Sequence, residues 1–152
     1  MKILDALHRD AILTNISSRD KEGLIEELAA PVARIIGVNC QELVRVLMER
    51  ERLGSTGIGM GIAIPHGKLK SLDGLVMGFG LSRKGVDYDS LDGRPAHLFF
   101  MLITPENSTG LHLKALARIA RMLKNEPFKE KLLRAQTPDD IISIIQAEDE
   151  DF

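Results

Sequence analysis

The chain has 152 residues, 44% hydrophobic and 28% charged, with a formal net charge of −2, the composition of a globular domain with its own core. That charge gives no general attraction to nucleic acid or anionic membrane, and one tyrosine without tryptophan argues against an aromatic nucleic-acid platform. The single cysteine, Cys40, excludes an intrachain disulfide and a multi-cysteine metal site. No signal-like core follows Met1, and no run approaches the ~20 apolar residues of a membrane span, so the expectation is a cytoplasmic location without membrane insertion.

In chain order, Ala11–Ile16 reads as a short strand. Ser17 or Ser18 then caps a helix with the apolar face Leu24, Ile25, Leu28, Val32, Ile35 and Ile36. Pro31 is expected to kink or break that helix, because proline removes a backbone donor, and Gly37 fits its end. Asn39 with Glu42 resembles a capping box opening a second helix to about Arg52. A glycine-rich stretch leads to the strand-like Ile62–Ile64, which stops at Pro65 with His66 directly after. Gly74–Leu81 reads as a strand whose small residues admit another layer closely, and Val86–Leu91 as a short edge segment. Pro95–Ile103 is nearly all apolar, the pattern of a central strand buried on both faces. Thr104–Ser108 is then a loop, Leu111–Leu123 a helix, and a short helix follows Asn125-Glu126-Pro127. Thr137-Pro138-Asp139-Asp140 starts a last helix, with acids at the positive end of the dipole, and the acidic tail from about 148 to 152 is expected to fray. There is no internal repeat or long linker, so residues 1–152 read as one α/β domain.

His66 is displayed between Pro65 and Gly67 and carries the chemistry. An imidazole is unprotonated near neutral pH and can accept a phosphoryl group, provided its other nitrogen is held by a fixed acceptor. The transferred group needs cations and donors around it. Gly67 admits a close backbone approach, Lys68 lies two residues beyond the histidine, and Arg50 ends the preceding helix. His112 follows the central strand and would meet His66 if both strands end at one sheet edge. Ser55 and Thr56 read chiefly as loop-capping residues, with a phosphate contact as the sharper alternative. The glycine loop lacks the Lys-Ser/Thr ending of a nucleotide P-loop, and the histidines lack metal-ligand spacing, so neither nucleotide nor metal is expected. His97 reads as a satisfied core or edge histidine, His8 as structural or exposed, and Met77, Met101 and Met122 as core.

Glu51, Ile58, Gly59, Ile62, Ala63, Ile64, Pro65, His66 and Gly67 fill, in order, a phosphorylation-site pattern. In these residues, and over almost its full length, the chain resembles the type-2 enzyme IIA domains of the bacterial phosphoenolpyruvate:sugar phosphotransferase system (PTS). The resemblance implies a mixed, largely parallel five-stranded sheet with helices on both faces, His66 as phosphoryl acceptor, and His112 and Arg50 as its auxiliaries. It implies no cofactor, and a phosphoryl donor that is the small carrier HPr or a paralogue. Glu51–Gly59 and Pro65–Lys68 look most like the nitrogen-regulatory branch, whose members bind regulated proteins according to phosphorylation state. The alternatives are a IIA component of a fructose- or mannitol-class transporter passing phosphate to a IIB domain, and a binding module that is not phosphorylated. Met60 stands where many relatives carry a polar residue, which suggests an apolar rim toward a partner at Ile58 and Met60.

Overall fold

The computed structural model describes all 152 residues. A one-turn helix α1 (Ile3–Ala6) precedes strand β1 (Leu7–Leu13) and helices α2 (Lys21–Ile36) and α3 (Cys40–Arg52). Three short strands follow: β2 (Gly57–Gly59), β3 (Ile62–Ala63) and β4 (His66–Leu69). Long strands β5 (Val76–Val86) and β6 (Ala96–Pro105) lead to helices α4 (Thr109–Leu123), α5 (Glu126–Arg134) and α6 (Pro138–Glu148).

The sheet is mixed, in the order β1-β5-β6-β3-β2, with β4 also on β6. β1 is parallel to β5, and both β3 and β4 are parallel to β6; β5–β6 and β2–β3 are antiparallel. Six strands stand where five were expected, and Pro65 is the reason. β3 and β4 run along the same edge of β6, from Ile62 opposite Leu98 to Leu69 opposite Pro105, with a gap at Ile64-Pro65. Even there Pro65 accepts the Leu102 N–H at 2.9 Å, so one interrupted strand counts as two. A proline has no N–H for the ladder, and the ladder pauses at it.

Side chains alternate along β6 as a doubly covered strand requires. Leu98, Phe100 and Leu102 join Ile119, Phe128, Leu132, Ile141 and Ile145 of α4, α5 and α6. Phe99, Met101 and Ile103 join Leu24, Leu28, Val32, Leu43 and Leu47 of α2 and α3. Helices therefore cover both faces. Gly78 of β5 lets α2 close in: a Cβ there would lie 2.9 Å from Val32 Cγ2.

Several local expectations change. β1 begins at Leu7 and its ladder ends at Leu13, although Ile16 N–H still bonds Leu81 O at 3.1 Å. Asp20 caps α2 in place of Ser17 or Ser18, taking the Gly23 N–H at 2.9 Å, because both serines are committed to the Glu27 carboxylate. Helix α2 runs unbroken through Pro31, which is buried. At α3, Asn39 caps the Glu42 N–H, but the Glu42 carboxylate goes to Arg45, so only half of a capping box forms. β5 continues to Val86 through Gly85, at φ 94°, which absorbs a shift in register against β6; residues 87–91 are not a strand. β6 takes in Thr104 and Pro105 because β4 pairs as far as that position. The acidic tail is docked. Asp149 accepts the N–H groups of Ile3 and Leu4 at 3.0 and 2.9 Å, Arg118 Nη2 donates to Glu148 O at 2.9 Å, and Phe152 N–H bonds Met1 O at 2.8 Å.

Candidate functional site

His66 opens β4, half-buried, at the end of β6 that leads into α4. The Pro65 pause turns its ring back on the preceding residues, and Nδ1 lies 2.7 Å from Ile64 O. A carbonyl oxygen only accepts, so Nδ1 carries the proton and Nε2 keeps the lone pair. Burial lowers the His66 pKa, reinforced by the Arg50 and Lys68 charges against the opposing pull of Ile64 O and Glu51. The ring is a neutral base at physiological pH.

His112 lies in the first turn of α4, 5% exposed, with its ring centroid 5.2 Å from that of His66. Its Nδ1 shares a 2.6 Å hydrogen bond with Thr104 Oγ1 near the C-terminal end of β6. Burial, and then the charges of His66, Lys68 and Arg50, push its pKa down to about 4. Both histidines are lowered for the same leading reason, loss of water, which disfavours a charged imidazole.

His66, His112, Arg50, Gly67 and Lys68 line one cavity of about 620 Å³. Arg50 Nη1 donates to Gly54 O at 2.9 Å, folding the guanidinium back against its own helix end. Lys68 Nζ donates to Thr109 Oγ1 at 3.0 Å, tying β4 to the first turn of α4. Gly67 is where α3 presses on β4, since a Cβ would meet Val46 Cγ1 at 2.9 Å. The cavity joins a neutral nucleophilic nitrogen to a second imidazole and two cations, an arrangement suited to a small tetrahedral anion.

Ser55 and Thr56 do not line this cavity. Ser55 Oγ donates to Tyr88 O at 3.1 Å and accepts the Gly57 N–H at 3.1 Å, and Thr56 bonds the buried Glu51 carboxylate. The bland expectation for them, capping the loop, is what their bonds do. Ile58 and Met60 are also elsewhere: the β2–β3 turn carries Met60 to a different cavity, with Arg94, His97 and Lys129. The exposed apolar residues around His66 are Leu53, 84% exposed, and Leu113, 59% exposed. No sequence pattern marks them: Leu53 follows a charged helix end, and Leu113 falls within the apolar helical period of Leu111–Leu123. Nor does one mark Thr104, whose only signal was a hydroxyl ending an apolar strand. His97 is a satisfied edge histidine with Nδ1 2.8 Å from Ser82 O, and His8 is exposed. No helix is long and apolar enough to cross a membrane.

Known proteins share the fold and much of the sequence. Residues 5–148 match the family described as phosphoenolpyruvate-dependent sugar phosphotransferase system, EIIA 2. The chain is 39% identical over 145 residues to a nitrogen regulatory protein of Bradyrhizobium diazoefficiens, covering 95% of each. It is 41% identical over 150 residues to the fructose-specific EIIABC component of Bacillus subtilis, covering 98% of this chain but only 24% of that protein. The crystal structure of nitrogen regulatory protein IIA-Ntr from Neisseria meningitidis matches with a TM-score of 0.87 and 31% identity, covering 93% of this chain and 97% of that one. A proline-paused strand that presents a histidine to a second histidine on a neighbouring helix is thus set in a fold and sequence shared along nearly the whole chain, which belongs to the EIIA type-2 family of the phosphotransferase system.

Proposed function

We propose that this IIA phosphocarrier holds its phosphoryl group on Nε2 of His66, receives it from an HPr-like phosphocarrier, and works as a nitrogen-type regulator that binds partners according to its phosphorylation state. The observation that carries the reading is the 2.7 Å bond from His66 Nδ1 to Ile64 O, which leaves Nε2 as the nucleophile in a cavity with His112, Arg50 and Lys68. The Nε2 lone pair attacks phosphorus, the bond from phosphorus to the donor's nitrogen breaks, and the donor imidazole leaves with that electron pair. Arg50 and Lys68 offset the charge on the three phosphoryl oxygens. When Thr104 donates to His112 Nδ1, His112 Nε2–H is a further donor to the group.

Incubation with phosphoenolpyruvate, enzyme I and an HPr-like carrier should label the wild-type protein in an acid-labile, base-stable form. Labelling that survives in His66→Ala would overturn the assignment, and a complete lack of label with active donor would favour the unphosphorylated binding module. A second reading, the IIA part of a sugar transporter, is favoured by the 41% identity to the fructose-specific protein. Rapid passage of label to a IIB domain, without phosphorylation-dependent capture of regulated proteins, would select it.

A further inference from the structure

Glu51 ends α3 among exposed charges, yet it is 7% exposed itself. Four donors converge on its carboxylate: the Thr56 N–H at 3.0 Å, the Thr56 hydroxyl, Lys21 Nζ at 3.0 Å and the Tyr88 hydroxyl at 3.3 Å. Lys21 also stands 5.1 Å from the ring centroid of Tyr88, which is fully buried. Burial and the neighbouring Glu51 charge push the Tyr88 pKa up, so its hydroxyl stays a donor. A buried carboxylate is tolerable only when its lone pairs are filled in this way, and a group so held is immobile.

One path of bonding leads from this carboxylate to the cavity, and a second runs beside it through the main chain of the same loop. Thr56 O accepts the Ile64 N–H at 3.0 Å, and Ile64 O is the acceptor for His66 Nδ1–H. Between Glu51 and Thr56, Gly54 donates its N–H to Glu51 O at 3.1 Å and accepts Arg50 Nη1 at 2.9 Å. The Glu51 side chain, outside the cavity, therefore braces the carbonyl that holds the nucleophile's ring, while its backbone carbonyl helps to set the turn on which Arg50 rests.

We propose that Glu51 is a positioning residue for phosphoryl transfer: it pins Thr56, and through the hydrogen bond from the Ile64 N–H to Thr56 O it fixes the carbonyl that keeps Nε2 of His66 free, while the main chain of the same loop holds Arg50. This rests on the reading of His66 as acceptor. Lys21 and Tyr88 complete the brace, so the α2 start and the residue 87–91 segment support a site neither of them touches.

The test compares wild type with Glu51→Ala, Glu51→Gln, Thr56→Val and Tyr88→Phe in two measurements. Nitrogen NMR of labelled histidine reads the His66 tautomer in the unphosphorylated protein, whether or not it can be phosphorylated. Transfer from phosphorylated HPr-like carrier, over a range of donor concentrations, separates the saturating rate from the donor KM. In Glu51→Ala, His66 should populate both neutral tautomers and the saturating rate should fall about tenfold or more, with KM within about twofold. Glu51→Gln, which keeps an acceptor for the Thr56 N–H, should recover part of both. A folded Glu51→Ala with a single Nδ1–H tautomer and an unchanged saturating rate overturns the proposal, as does a change in thermal stability alone. If Glu51→Ala does not fold, Thr56→Val and Tyr88→Phe each remove one hydroxyl and carry the same readouts. Unchanged tautomer and rate in both overturns it. A tautomer that responds in a protein that cannot be labelled supports the bracing of the ring and refutes the acceptor role separately.

Discussion

His66 and His97 occupy opposite ends of the β6 neighbourhood and are held alike. Each presents Nδ1 to a backbone carbonyl, at 2.7 Å to Ile64 and 2.8 Å to Ser82, and each is half-buried. Their other nitrogens differ. Around His66 the partners are His112, Arg50 and Lys68, with Glu49 also on the cavity wall. Around His97 the ring edge faces Gly85, where an added Cβ would lie 3.3 Å from Nε2, and the nearby charges are mixed: Arg94 and Lys129 with Glu126 and Glu130. Fixing a tautomer is therefore common to a structural and a candidate catalytic histidine. What separates them is a second imidazole, its centroid 5.2 Å from that of His66, in a cavity that Arg50 and Lys68 also line.

The largest expected effect breaks or keeps this distinction outright. His66→Ala should abolish phosphoryl labelling, while His97→Ala should label at a rate within about twofold of wild type; comparable loss in both would erase the contrast. Next come the groups that surround only one of the two. His112→Ala or Arg50→Ala should slow transfer on the order of 10²–10³-fold while leaving the fold intact, measured by single-turnover transfer from the donor. A loss under about threefold would mean the gathered partners matter little.

Acid stability sharpens the comparison further. The folded His112 pKa, about 4, lies below the ordinary value of 6.5. The unfolded chain thus binds a proton that the folded chain refuses between those values. The stability from neutral His112 is full above about pH 6.5 and is lost as pH falls toward 4, on the order of 3 kcal/mol. Urea unfolding across that range should show the slope, and His112→Gln should flatten it. The smallest effect belongs to the His97 end. Gly85→Ala places a side chain at φ 94°, 2.9 Å from Pro95 Cβ and 3.1 Å from the His97 ring. It should lower stability by about 1–3 kcal/mol without changing labelling of His66.

Much of this was legible in the sequence because it is written in local signals. The Ile62–Pro65 run, the uninterrupted apolar β6 and the helical period of Leu116, Ile119 and Leu123 each declare themselves within a dozen residues. The pairing of His66 with His112 needed only that both strands end at one edge. What was hidden depends on competition or on backbone groups. Ser17 and Ser18 look like helix caps until Glu27, nine and ten residues away, takes them. The acidic tail looks frayed until Asp149 meets the free N–H groups of α1, 145 and 146 residues earlier in the chain. The link from Glu51 to His66 passes through the Thr56 carbonyl and the Ile64 peptide, groups every residue has, so no pattern of side chains could reveal it.

The cavity draws one wall from each side of the sheet. Arg50 belongs to α3, packed with α2 on one face, and His112 to α4, packed with α5 and α6 on the other. His66 stands at the seam. A dianion placed there changes the electrostatic load on both helical layers together, drawn toward the first turn of α4 and set against the last turn of α3, with Arg50 between. A partner resting on either layer near the cavity mouth would then meet an altered surface, so a single modified ring can be sensed from two directions without any strand changing its place.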